Sequence, residues 1–194
     1  MIDTDPYFDD NPLRKMPHNR RTILYIACSL DGYIAKPNDD LSFLSIVEKK
    51  GEDYGYADFI STVDTVILGR KTYEWIMKHV PEFVHADKDT YVVTRTPRPS
   101  AGNTHFYTGD LKDLLAKLKG EPGKNIFIDG GAEVVHELLK QNLIDEFVIS
   151  IIPVLVGDGI RLFKDGRPEQ NVVLKSANGF EKGLVQLHYV REEA

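Results

Sequence analysis

The 194-residue chain has one cysteine, Cys28, so no internal disulfide can staple it and no paired-thiol motif exists. Its six histidines, His18, His79, His85, His105, His136 and His188, show no HxxxH or HExxH spacing, which leaves no metal set legible and predicts surface or capping roles. Long apolar runs are missing too. The stretch 147–156 is broken by Ser150 and Pro153 and is about half the length of a membrane-spanning helix. No charged start followed by an apolar run and a small-residue cleavage site opens the chain, which predicts a cytoplasmic protein. Positive charge is not in excess: 30 acidic against 24 basic residues give a formal charge of −6, which argues against a nucleic-acid partner.

What is present is enough apolar material for one domain, with 42% hydrophobic residues, nine Phe and nine Tyr. Residues 1–21 carry Asp3, Asp5, Asp9, Asp10 and three prolines without periodicity, and read as a flexible tail ahead of a domain over 22–194. Residues 22–28 form an apolar run typical of a strand covered on both faces. Residues 29–35 follow as a loop in which Asp31 shapes its own Asp-Gly turn. Residues 41–47 and 56–60 have helical spacing.

Two strand-turn-helix units and, between them, a strand closed by a turn come next. The run 65–68 leads through Gly69 into a helix ending before Pro81; the strand 91–94 is closed by Arg95-Thr96-Pro97-Arg98-Pro99; and the strand 125–129 leads through Gly130-Gly131 into a helix reaching Asn142. Between the last two, 105–107 is a short strand, and Asp110 caps a helix striped by Leu111, Leu114, Leu115 and Leu118. A long strand over 146–152 and two strands around Asn178-Gly179 complete the chain. Strands alternating with helices predict an α/β fold with a mainly parallel sheet, and the terminal strand pair predicts an antiparallel edge.

Gly69-Arg70-Lys71-Thr72 and Gly130-Gly131-Ala132 both open helices. Unpaired N–H groups and a partial positive charge gather there, and glycine admits a phosphate to the backbone. Two such turns in one sheet point to a nucleotide diphosphate. Arg70, Lys71, Arg95 and Arg98 sit at strand carboxyl ends, either as a solvated basic rim or, for Arg70 and Arg95 with Thr94, as a grip on the 2′-phosphate of NADP. Asp40 either caps a turn or acts at the cleft mouth as the catalytic acid.

Taken together, residues 27–35, Val66-Ile67-Leu68-Gly69-Arg70-Lys71-Thr72-Tyr73, Val93-Thr94-Arg95, Ile128-Asp129-Gly130-Gly131, and 143–146 through 153–159 resemble the dihydrofolate reductase-like superfamily. The branch is that of the reductase domain at the C-terminus of the bifunctional riboflavin-biosynthesis deaminase/reductase, of which this chain looks like a stand-alone member. The resemblance implies a three-layer fold with helices on both faces of the sheet, a homodimer, and NADPH bound across the strand ends. By position, Ala27, Ile34 and Ala35 would line the nicotinamide. Gly69, Arg70, Lys71 and Thr72 would meet the adenosine side and its phosphates, Thr94 and Arg95 the 2′-phosphate, and Gly130, Gly131, Ala132, Glu133 and Val134 the pyrophosphate.

The chain departs from both named activities. Tyr25 stands where the riboflavin-pathway reductases carry a lysine, Val135 where many dihydrofolate reductases place an aromatic, and residues 74–87 hold no counterpart of the phosphoribosyl-recognition stretch. The expectation is an NADPH-dependent reductase acting on a small heterocycle or imine, similar to 5-amino-6-(5-phosphoribosylamino)uracil reductase. The alternative is a non-catalytic nucleotide-binding module whose cleft is filled by side chains such as Trp75, Tyr54 or Tyr56.

Overall fold

The computed structural model describes residues 20–192. Its strands are β1 (Thr22–Ser29), β2 (Tyr33–Ala35), β3 (Val63–Gly69), β4 (Asp89–Val93), β5 (Thr104–Tyr107), β6 (Asn125–Gly130), β7 (Glu146–Ile152), β8 (Ile160–Arg161), β9 (Val172–Gly179) and β10 (Val185–Arg191). Its helices are α1 (Tyr56–Ser61), α2 (Arg70–His79), α3 (Leu111–Lys119) and α4 (Ala132–Lys140). Residues 42–47, expected to be helical, form a short 3-10 segment. Among the described residues no helix is long and apolar enough to cross a membrane.

Eight strands make one sheet in the order β5-β4-β3-β6-β1-β7-β10-β9, with β2 and β8 paired separately. The six strands from β5 to β7 are parallel, and β10 runs antiparallel to both β7 and β9. This is the dihydrofolate reductase-like three-layer arrangement. The period-2 alternation along β1 sends Leu24 and Cys28 to one face, where Leu114, Leu115 and Leu118 of α3 and Val135 and Leu138 of α4 cover them. Val66, Leu68, Val92 and Phe127 form the opposite face, covered by Phe59 of α1 and Tyr73 and Ile76 of α2. The Asp110 carboxylate accepts the N–H of Lys112 at 2.6 Å, the cap that the sequence predicts for α3.

Of the expected tail, residues 1–19 lie outside the described part, but Arg20 and Arg21 belong to the body. Arg20 is 6% exposed and donates to Asp64 Oδ1 at 2.5 Å, Thr65 Oγ1 at 2.6 Å and the carbonyls of Lys124 and Leu118 at 2.8 and 3.0 Å. Arg21 pairs with Glu146 at 2.7 Å. A buried guanidinium with this many acceptors is an anchor.

Candidate functional site

Because β4, β3, β6 and β1 are parallel neighbours, their carboxyl ends share one edge of the sheet. Thr94, Gly69, Gly130 and Ser29 follow or end these strands in that spatial order. At about 4.8 Å per strand spacing the line is roughly 14 Å long. Helix α2 starts directly from Gly69 and α4 from Gly131, and neither has a side-chain cap, so their leading N–H groups face outward unclaimed by side chains. The two turns touch. A β-carbon on Gly69 would lie 3.4 Å from Val134 Cγ2 and 3.7 Å from the Gly131 nitrogen, and one on Gly131 would lie 3.1 Å from Thr72 Oγ1. Gly130, at φ +102°, holds a conformation that other residues rarely adopt. Buried Ala132 and Val134 pack this turn, leaving its backbone as the polar surface.

The basic side chains are less free than the sequence suggests. Arg70 Nη1 lies 2.5 Å from Glu74, and Arg98 Nη2 lies 2.8 Å from the same carboxylate. Arg98 first, with Arg70 adding its charge, holds the Glu74 carboxyl below its ordinary pKa. Arg95 and Lys71 are exposed, and Arg95 makes no ion pair among the described residues. Thr94 is nearly buried, with its hydroxyl accepting the Thr96 N–H at 3.2 Å. Glu133 turns toward Lys164 at 2.6 Å and stays ionised. Ile34 and Ala35 lie on β2, whose partner β8 follows the loop after β7. Asp31 does more than shape its own turn. It also accepts the N–H groups of Val156 at 3.0 Å and Gly157 at 2.7 Å.

Beside the β1 end of this line opens a cleft of 680 Å³, large enough for a small ligand. The register Tyr25↔Val148, Ala27↔Ser150 and Ser29↔Ile152 puts Tyr25, Ala27, Ser150 and Ile152 on one face as its floor. Tyr54 and Tyr56 are its walls and leave it open, while Trp75 stacks on His79 at a separate hollow. Gln186 Nε2 lies 3.1 Å from Tyr25 Oη and 3.2 Å from both Ser150 Oγ and the Tyr54 carbonyl, with two hydrogens to share among the three; Tyr25 donates to the same carbonyl at 3.0 Å. Burial, then the nearby Asp129 charge, pushes the Tyr56 phenol up to about 12.

Asp40, the expected acid, stands elsewhere. It lines the Trp75 hollow, and its carboxylate accepts the N–H of Ser42 at 2.7 Å and the Ser42 hydroxyl at 3.1 Å. These bonds, with Lys36 at 3.8 Å, lower its pKa, so it is an ionised loop cap without a proton to donate. His85 corrects another expectation. It is neither at the surface nor a cap but 2% exposed, edge-on to Phe83 and Phe127, with Nε2 3.4 Å from Asp129. Ser150, Gln186 and His85 escape a reading of the sequence because each acquires its neighbours from strands and loops distant along the chain. The one available signal was a lone serine inside an apolar strand.

Residues 20–186 match the family model described as the RibD C-terminal domain. The chain belongs to this family. It is 47% identical over 174 residues to the uncharacterized protein YwjB of Bacillus subtilis (strain 168), covering 89% of this chain and 98% of that one. A Shewanella sp. PV-4 structure bearing a riboflavin-biosynthesis name superposes with TM-score 0.82 at 28% identity, over 89% of this chain and 99% of that one. The Enterococcus faecalis dihydrofolate reductase, solved with NADP(H), shares the fold at TM-score 0.59 and 19% identity, over 89% of this chain and 97% of that one. Membership of the RibD C-terminal domain family gives this chain a reductase-like role.

Proposed function

We propose that this RibD C-terminal domain protein is an NADPH-dependent reductase that transfers hydride to a small heterocyclic or imine substrate. The observation that carries the reading is the position of Ala27. It lies near the end of β1, the last strand of the line, and is also part of the cleft floor, so a cofactor laid along the edge ends where a substrate has room. The residues present fit a phosphorylated dinucleotide. Gly131 leaves a gap beside Thr72 that a β-carbon would crowd, two uncapped helix starts adjoin it, and Lys71 on α2 and Arg95 after β4 are exposed at the same edge of the sheet. Thr94, Arg95, Arg70 and Lys71 would receive the adenosine phosphate, Gly69, Thr72 and 130–134 the pyrophosphate, and Ala27, Ile34 and Ala35 the nicotinamide.

When bound, the nicotinamide supplies the hydride. The chain's own contribution is placement. Ala27 and Ile152 give an apolar floor, and Tyr54 and Tyr56 wall it. The open cleft supports this reading over a nucleotide-binding module that fills its own pocket. The proposal includes a cytoplasmic homodimer with a small-molecule substrate and no nucleic-acid or membrane partner. Exposed Val172, Val173 and Leu174 on edge strand β9 support the self-association, which sedimentation analysis tests.

The deciding experiment is titration with NADPH and NADH followed by protein fluorescence, on the native protein and on Arg95→Ala. NADPH binds more tightly than NADH, and the substitution weakens NADPH by about 1.5–3 kcal/mol while sparing NADH. Failure of the native protein to bind either nucleotide overturns the proposal.

A further inference from the structure

The floor of the cleft carries no charge. Tyr25 is held by Tyr54 and Gln186 and backed by the Phe59 ring, stacked at 4.4 Å and 22°, so its hydroxyl is fully employed. Burial raises the pKa of both Tyr25 and Tyr56, so the phenols stay neutral. Ser150 is different. It is 5% exposed and lines the cleft, its hydroxyl oxygen lies 3.2 Å from the Gln186 amide nitrogen, and it makes no donated hydrogen bond to a carbonyl or carboxylate among the described residues. A hydroxyl offers one donor besides its acceptor positions, and a buried donor is costly to leave unmade. An acceptor atom on a ligand lying against the floor would satisfy it.

The rim has the opposite sign from a phosphate site. Glu48, Glu52 and Asp53 line it, and Asp53 is kept ionised by the N–H groups of Ala57 and Gly55, each at 2.9 Å. Of its two lysines, Lys49 is already paired with Glu181, leaving Lys50. A phosphate monoester at this mouth meets more negative than positive charge.

We propose that the cleft binds a flat, uncharged heterocycle that presents a carbonyl or ring-nitrogen acceptor to the Ser150 hydroxyl and carries no phosphate. Ser150 is then the substrate-recognition donor, and Glu48 and Glu52 select against phosphorylated ligands. Calling this ligand the substrate rests on the reductase reading; the binding chemistry does not.

The test uses two matched pairs that differ only in a phosphate, riboflavin against flavin mononucleotide and uridine against its 5′-monophosphate, with binding measured by calorimetry with and without saturating NADPH. At least one unphosphorylated member binds, about tenfold more tightly than its phosphate ester. Ser150→Ala weakens it about tenfold with NADPH affinity and melting temperature unchanged. Glu48→Lys combined with Glu52→Lys, both exposed or half-exposed, narrows the preference. Preference for the phosphate esters, binding indifferent to Ser150→Ala, or no binding of either unphosphorylated member overturns the inference. Because the arms without NADPH stand alone, loss of nucleotide binding defeats the reductase reading while the ligand assignment is still decided.

Discussion

The Asp31 carboxylate and the Gly157 backbone N–H meet at 2.7 Å across 126 positions of sequence. The contact joins the loop after β1 to the loop after β7, and the Ser29 hydroxyl at 2.5 Å completes the grip. Ser29, then the N–H groups of Val156 and Gly157, hold the Asp31 pKa down at about 2. A carboxyl group depressed in the fold stabilises it fully above its unfolded pKa, ~3.9, and loses that contribution as pH falls through the folded value. Asp31→Asn therefore lowers the melting temperature at neutral pH. The gap to the native protein closes as the pH falls from about 4 to about 2. Melting curves across this range check it; a gap independent of pH would show that ionised Asp31 is not the source.

Gly159 and the Ala35 carbonyl supply a steric prediction. At φ +140° a β-carbon on Gly159 would lie 2.1 Å from that oxygen, where β2 meets β8. Gly159→Ala costs about 3 kcal/mol, read from the urea midpoint. Gly157→Ala, at φ +82° with nothing within 4 Å of the added carbon, costs only about 1 kcal/mol.

Removing the Arg20 side chain takes four hydrogen bonds from one buried point of the fold. Arg20→Met takes the guanidinium from Asp64, Thr65 and two carbonyls, and the expected loss is about 2–3 kcal/mol, moderated because Asp64 is 38% exposed and keeps the Lys124 N–H at 2.7 Å and the Thr65 hydroxyl at 2.8 Å. Arg20→Lys recovers little, since one ammonium cannot reproduce the fork. Chemical denaturation of both variants measures this.

Glu74 competes with any phosphate for Arg70 and Arg98. Glu74→Gln removes that competition and raises NADPH affinity about threefold at low salt, with the gain shrinking as salt rises. Titration at two ionic strengths checks the sign; weaker NADPH binding would mean that Glu74 positions the arginines for the ligand.

Local physics made much of this protein readable. The leucine stripe and Asp110 cap of α3 needed only 3.6-residue periodicity and one side-chain acceptor. The Gly69 and Gly130-Gly131 turns were visible because backbone requirements at strand-helix junctions are local. Element ends were less legible: the strand expected over 65–68 spans Val63–Gly69, since ladder partners on both sides extend it. Between a cap and an acid the sequence left Asp40 open, because nothing in one dimension shows that Ser42 and Lys36 occupy it.

The amino-acid sequence by itself determined the eight strands of the main sheet and the four α-helices, though not β2, expected as loop, nor β8, together with the two phosphate-suited turns and the family, all of which depend on residues near one another along the chain or on motif order. Only the tertiary structure decided that β6 inserts between β3 and β1, bringing both turns into contact. It also decided that Glu74 holds two arginines and that Ser150, Gln186 and Tyr25 meet at one cleft. These features depend on strand register and sheet order, which are set by the burial of both faces of the whole sheet at once.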